Sequence, residues 1–157
     1  AAVQLAKARG AYVTAVVGTR HIDLPGMLGA DRVVNYETED FTALGETFDL
    51  VFDAVGKTSF FECRSLLTKN GIFSATDLGP GWSNIILGML YGATGSGRVR
   101  IPFPDGAPAF IQYLAALMTR GKFQGVSDRR YPFDQIADAF RYVEMGQKTG
   151  IVVVDVC

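Results

Sequence analysis

Strands and helices alternate along this chain. That order predicts an α/β fold, a doubly wound parallel sheet with helices on both faces. Three observations carry the prediction. Apolar runs of strand length recur at Ala11–Val17, Phe48–Val55, Ile72–Thr76 and Ile151–Val156. Glycine, 18 times in 157 residues, punctuates the junctions between elements. Two clean 3.6-residue periods mark amphipathic helices, one at Phe110, Ile111, Leu114, Leu117 and Met118, the other at Ile136, Ala137, Phe140 and Val143.

The elements follow in order. Ala1–Arg9 is a short helix with Ala2, Leu5 and Ala6 expected inward and Gln4, Lys7 and Arg9 outward, and Gly10 stands at its C′ position. Ala11–Val17 is apolar enough for a strand buried on both faces. Ile22–Leu28 is a weak helix, interrupted by Pro25-Gly26. A short strand, Arg32–Tyr36, precedes one helical turn at Glu39–Leu44. Phe48–Val55 is the strongest strand pattern in the chain. Ser59 and Glu62 have capping-box spacing and open a helix that buries Phe60, Cys63 and Leu67. Lys69-Asn70-Gly71 reads as a turn before the strand Ile72–Thr76. Residues 79–97 read as a helix with glycine-rich ends. Arg98–Pro102 reads as an edge strand because its charges alternate. The helix Pro108–Arg120 follows, and a β-α-β unit ends the chain at Ile151–Val156. The polar, glycine-containing stretch Gly121–Asp128 separates the wound sheet from this terminal unit.

Composition excludes several function classes. A net charge of −1 argues against a nucleic-acid partner. No apolar run approaches the roughly 20 residues of a membrane span, and the first residues carry no signal-peptide pattern. One histidine and two distant cysteines cannot assemble a structural zinc site or a disulfide framework, so a reducing, cytoplasmic setting is expected. A chain opening on Ala1 with an uncapped helix is expected to be preceded by further sequence.

In open α/β sheets, ligands bind beyond the carboxyl ends of the strands. That places interest on Gly18-Thr19-Arg20-His21, Val55-Gly56-Lys57 and Thr76-Asp77-Leu78-Gly79. In a dinucleotide fold an acid after the second strand binds the ribose 2′-hydroxyl of NAD. Here no acid occurs before Asp23, and a hydroxyl and a guanidinium stand in its place. That pair suits a 2′-phosphate, hence NADP, although it also reads as a solvated loop arginine. Val55-Gly56 permits close backbone approach to a ribose and equally fits a routine strand–helix turn. Thr76-Asp77 offers backbone groups to a carboxamide and equally fits a loop. His21 is a lone histidine, Cys63 reads as core, and Trp82 and Tyr91 read as packing or pocket walls. No catalytic triad, P-loop or paired-carboxylate pattern is present.

Five stretches, AAVQLAKARGAYVTAVVGTR, LGADRVVNYETEDF, FDLVFDAVG, GIFSATDLG and YPFDQIADAFRYVEMGQKTG, together resemble the medium-chain dehydrogenase/reductase superfamily. The likeness is to its quinone-oxidoreductase-like, zinc-free branch, often labelled zinc-containing alcohol dehydrogenase. The resemblance implies a Rossmann-like sheet of order 3-2-1-4-5-6 over residues 1–124, lacking its first strand and glycine-rich loop. Residues 125–157 would then be the segment returning to a GroES-like catalytic domain outside these residues. Without the first strand, two sheet edges would face each other across about 9–10 Å, and 157 residues alone are expected not to form a stable monomer.

The resemblance implies that Gly18, Thr19 and Arg20 hold the adenosine 2′-phosphate of NADPH. Val55 and Gly56 would lie on the adenosine side, and Thr76, Asp77, Leu78 and Gly79 at the nicotinamide end. It implies hydride transfer to a quinone, carbonyl or activated double bond, no zinc, and a homodimer through the edge strand near Arg98–Pro102. Where the superfamily often has Gly-Lys before the last strand, this chain has Gly150-Ile151. A non-catalytic NADPH-binding scaffold on the same fold is the alternative. A Rossmann-like methyltransferase fits less well, for want of the ribose-binding acid.

Overall fold

The computed structural model describes residues 1–76, 82–93, 98–102, 107–146 and 148–156. They form two compact units, one of residues 1–34 and 107–157, the other of residues 35–106. The described strands form three sheets, of orders β1-β2, β3-β4-β5 and β6-β7.

In the first unit, α1 (Ala2–Ala8) stops at Gly10, which has φ +81°. The amide of Gly10 donates to Lys7 and that of Ala11 to Ala6, the two bonds of a Schellman motif. The inward face differs from the expected one: the buried residue is Gln4, 6% exposed. Its side-chain amide donates to the Gln124 carbonyl at 3.0 Å and accepts from the Gln124 N–H at 2.7 Å. A buried amide whose donor and acceptor are both satisfied by the backbone of one residue carries little desolvation deficit.

β1 (Thr14–Val17) is shorter than the apolar run, and only Ala15 within it is buried. α2 (Asp23–Met27) contains Pro25 without breaking. The proline sits in the first turn, where backbone N–H groups have no intrahelical acceptor, so its missing donor costs nothing. Asp31 precedes β2 (Arg32–Asn35) and joins α1 through Lys7 Nζ, 2.8 Å from both carboxylate oxygens, while also accepting from the Val13 N–H.

α5 (Pro108–Thr119) begins on proline as predicted. Beyond it, β6 (Ser127–Pro132) and β7 (Ile151–Asp155) pair in parallel, with α6 (Ile136–Glu144) as their crossover. The expected apolar stripes of both helices stay largely exposed: Phe110, Ile111, Ile136 and Phe140 all face solvent. α6 instead buries Ala139 and Tyr142, the residues that its packing on β6 and β7 covers.

The second unit is built around β3 (Phe48–Asp53), β4 (Leu67–Ala75) and β5 (Val99–Arg100), all parallel. Before it, Asp40 caps a single 3-10 turn at Phe41–Ala43. The capping box forms as predicted: Ser59 N donates to Glu62 Oε2 at 2.8 Å, and Glu62 N donates back to Ser59 Oγ at 3.3 Å. It opens α3 (Phe60–Cys63), which tightens into a 3-10 turn ending at Leu66. The core holds Phe60, Cys63, Leu67, Phe73, Ala75 and Val99. α4 (Ser83–Ala93) covers it with Leu87 and Tyr91, and the Tyr91 ring lies 5.2 Å from that of Phe60.

Two expectations change here. β4, at nine residues, outlasts β3, and Leu50 and Phe52 of β3 are exposed. The Lys69-Asn70-Gly71 turn becomes an irregularity within β4: Phe48 pairs with Leu67, yet Leu50 pairs with Ile72. Gly71 is needed there, since a Cβ would stand 2.8 Å from the Phe48 carbonyl oxygen. β5 ends the sheet as the expected edge strand, with Val99 inward and Arg100 outward. Arg98 turns inward, donating to the carbonyls of Gly71 and Thr68 at 3.3 Å.

Candidate functional site

The sequence-derived candidates fall at the carboxyl ends of β1, β3 and β4. After β1, Gly18 is buried and leads into a 3-10 turn, Thr19–His21, closed by the His21 N–H bonding the Gly18 carbonyl at 2.9 Å. Thr19 and Arg20 are exposed on this turn. Among the described residues Arg20 makes no ion pair, so its guanidinium is available to an anion. His21 is engaged differently: its Nδ1 lies 3.4 Å from the Thr149 hydroxyl. Thr149 in turn donates its N–H to Asp128 at 2.7 Å. That bond, then the Tyr142 hydroxyl and the Arg129 guanidinium, hold the Asp128 carboxyl below its ordinary value.

In the second unit the loop after β3 is organised by one buried side chain. Asp53 Oδ1 accepts from the N–H groups of Val55 at 2.9 Å and Gly56 at 2.8 Å, and Oδ2 accepts from that of Thr58 at 3.0 Å. Gly56 takes φ +79°, which a side chain would strain. Asp53 also reaches the next strand, because its carbonyl accepts from the Thr76 N–H at 3.1 Å. Val55, Gly56 and Thr76 are thereby brought to one end of the β3–β4 pair, and Val55 and Thr76 face solvent. Asp77, Leu78 and Gly79 lie outside the described residues.

Cys63 is fully buried, and desolvation pushes its thiol above the ordinary value, which leaves it a core residue rather than a nucleophile. Asp53 is the residue that pattern reading missed. Its signal was present in Asp53-Ala54-Val55-Gly56, an aspartate at a strand end with glycine three residues on, the composition of an Asx turn.

Comparison with known proteins places this geometry. The profile of the zinc-binding dehydrogenase family matches residues 28–154. The chain belongs to that family, within the medium-chain dehydrogenase/reductase superfamily. It is 30% identical over 161 residues to the chloroplast envelope quinone oxidoreductase homolog of Arabidopsis thaliana, covering 98% of this chain and 48% of that protein. It is 30% identical over 175 residues to the mitochondrial NAD(P)H oxidoreductase RTN4IP1 of Mus musculus, covering 99% and 44%. The solved quinone oxidoreductase from Coxiella burnetii superposes with a TM-score of 0.77 at 24% identity, over 99% of this chain and 48% of that one, which establishes the Rossmann-like fold. The chain thus spans about half the length of the relatives it matches.

Each unit by itself offers groups suited to part of a nicotinamide dinucleotide: the Thr19 hydroxyl and Arg20 guanidinium after β1 in the first, and the Val55-Gly56 turn after β3 in the second. Among the described residues no three His, Cys, Asp or Glu side chains come together to hold a metal.

Proposed function

We propose that this chain is the dinucleotide-binding part of an NADPH-dependent oxidoreductase that reduces a quinone, carbonyl or activated double bond. The observation that carries it is the Thr19–His21 turn, which presents an unpaired cation and no carboxylate after β1. Thr19 and Arg20 would hold the 2′-phosphate, with the turn's backbone fixed by the buried Gly18. Val55 and Gly56 would support the adenosine side, and Thr76, with Asp77, Leu78 and Gly79, the nicotinamide end. When bound, the dinucleotide supplies the hydride, and a proton completes the reduction.

Residues 1–124 would form the dinucleotide-binding region and residues 125–157 the segment returning to a catalytic domain. Zinc independence is part of the proposal, and turnover should then survive a chelator. A homodimer through β5 is the assembly proposed, because that strand ends its sheet. Neither nucleic acid nor membrane is a proposed partner. Among the described residues no helix is long and apolar enough to cross a membrane. The cytoplasm is the proposed location, because the sequence has only two cysteines, far apart; fractionation checks it, the relatives being named for the chloroplast and the mitochondrion.

The test is titration of wild type and Arg20→Ala with NADPH and NADH. NADPH should bind more tightly to wild type. The substitution should weaken NADPH at least about tenfold, the loss of a charge-assisted phosphate contact, and leave NADH unchanged. No NADPH binding and no turnover across quinones, enones and aldehydes would refute the proposal. Binding without turnover would favour the scaffold reading.

A further inference from the structure

We propose that Asp53 is the positioning residue of the dinucleotide site, setting the loop 54–58 and the end of β4 in register with one another. The inference rests on the reading that Val55, Gly56 and Thr76 contact the cofactor. Three bonds to one carboxylate define the loop: Oδ1 takes the N–H groups of Val55 and Gly56, and Oδ2 takes that of Thr58. The Asp53 carbonyl takes the Thr76 N–H at 3.1 Å, and the Thr76 hydroxyl lies 3.5 Å from the same oxygen. Val55, Gly56 and Thr76 are therefore each one hydrogen bond from Asp53.

The chemistry excludes the simpler role of a ribose-binding acid. Both carboxylate oxygens are committed to backbone donors, and the side chain is buried. The same backbone donors offset the cost of burying the carboxylate's charge. Its far end is anchored too: Thr58 Oγ1 lies 3.2 Å from Glu62 Oε2 and 3.3 Å from Cys63 Sγ, so the loop is pinned to α3. Neither close relative of aspartate reproduces this. Asparagine keeps one acceptor oxygen and loses the Thr58 bond, while glutamate is one methylene too long for the turn.

Amide hydrogen exchange and NADPH titration on the full chain test the proposal, comparing wild type, Asp53→Asn and Leu66→Ala. Leu66 is buried at the end of the turn after α3, and its truncation destabilises the same unit without touching the loop. In wild type the amides of Val55, Gly56 and Thr58 should be protected. In Asp53→Asn the Thr58 protection should fall about tenfold or more, and the NADPH dissociation constant should rise about tenfold, with β4 amides still protected. Leu66→Ala should lower the melting temperature at least as much and keep wild-type affinity. Unprotected loop amides in wild type overturn the proposal without any variant. So does unchanged affinity in Asp53→Asn, or an equal loss in Leu66→Ala. Wild type that binds no NADPH sinks the cofactor reading itself, and this role with it.

Discussion

Replacing Gly150 by alanine adds one methyl group where the structure has no room for it. A Cβ there would stand 2.2 Å from the Val126 carbonyl oxygen, 2.9 Å from its carbon and 3.0 Å from Val126 Cγ1. Ordinary contact requires about 1 Å more. The carbonyl cannot retreat freely, because it accepts the Ile151 N–H at 2.7 Å at the start of the β6–β7 pair. Overpacking of this kind costs about 1–3 kcal/mol, and a lost backbone hydrogen bond about 1 kcal/mol. Removing a glycine restores about 0.5 kcal/mol through the unfolded chain. The net is a destabilisation of about 1.5–3.5 kcal/mol, or roughly 3–14 °C in melting temperature for a chain of this size.

Gly125→Ala is the internal control. Its Cβ would meet only Ile151 Cδ1 at 3.6 Å, an ordinary contact. Thermal and urea unfolding of both variants, with exchange measured at Val152–Val154, separates the effects. A Gly150→Ala protein that melts within 1 °C of wild type, roughly a third of the smallest expected shift, refutes the argument. So would a loss of the same size in Gly125→Ala.

Other consequences follow from the same geometry. Ser59→Ala removes the hydroxyl that accepts the Glu62 N–H, leaving the backbone N–H of residue 59 to Glu62, and should cost about 1 kcal/mol in urea unfolding. Gln4→Leu strands the Gln124 N–H and carbonyl, with an expected cost of about 1–3 kcal/mol and faster exchange at the Gln124 amide. Asp128 titrates below its ordinary value when folded, so its contribution is complete above the unfolded carboxylate pKa and disappears as pH falls through the folded one. The melting-temperature difference between wild type and Asp128→Asn should therefore shrink as pH drops below the ordinary 3.8; a difference constant from pH 6 to pH 3, roughly the range spanning carboxylate titration, would contradict this.

Much of the fold is legible in the sequence because its signals are local. Ser59 and Glu62 meet three residues apart, so the capping box can be read without knowing anything else. Gly10 ends α1 locally, its own N–H bonding three residues back and that of Ala11 five residues back. The alternation of elements, the edge position of Val99–Arg100 and the parallel terminal pair follow from pattern and connectivity. The Thr19-Arg20 candidate is readable for the same reason, as chemistry at the end of one strand.

Burial and the organisation of the site were decided at longer range. Periodicity locates apolar atoms on a helix, but a face is buried only where another element covers it. Hence Gln4 is inside and Phe140 is outside. Gln4 meets Gln124 across 120 residues, and Asp53 meets Thr76 across 23. Such contacts depend on the register of β3 against β4, and of β6 against β7, which no local spacing encodes. By itself the sequence determined which elements form and which chemistry stands at the strand ends. Only the tertiary structure decided that Asp53 ties two of those ends together, because that bond exists only once the two strands lie side by side.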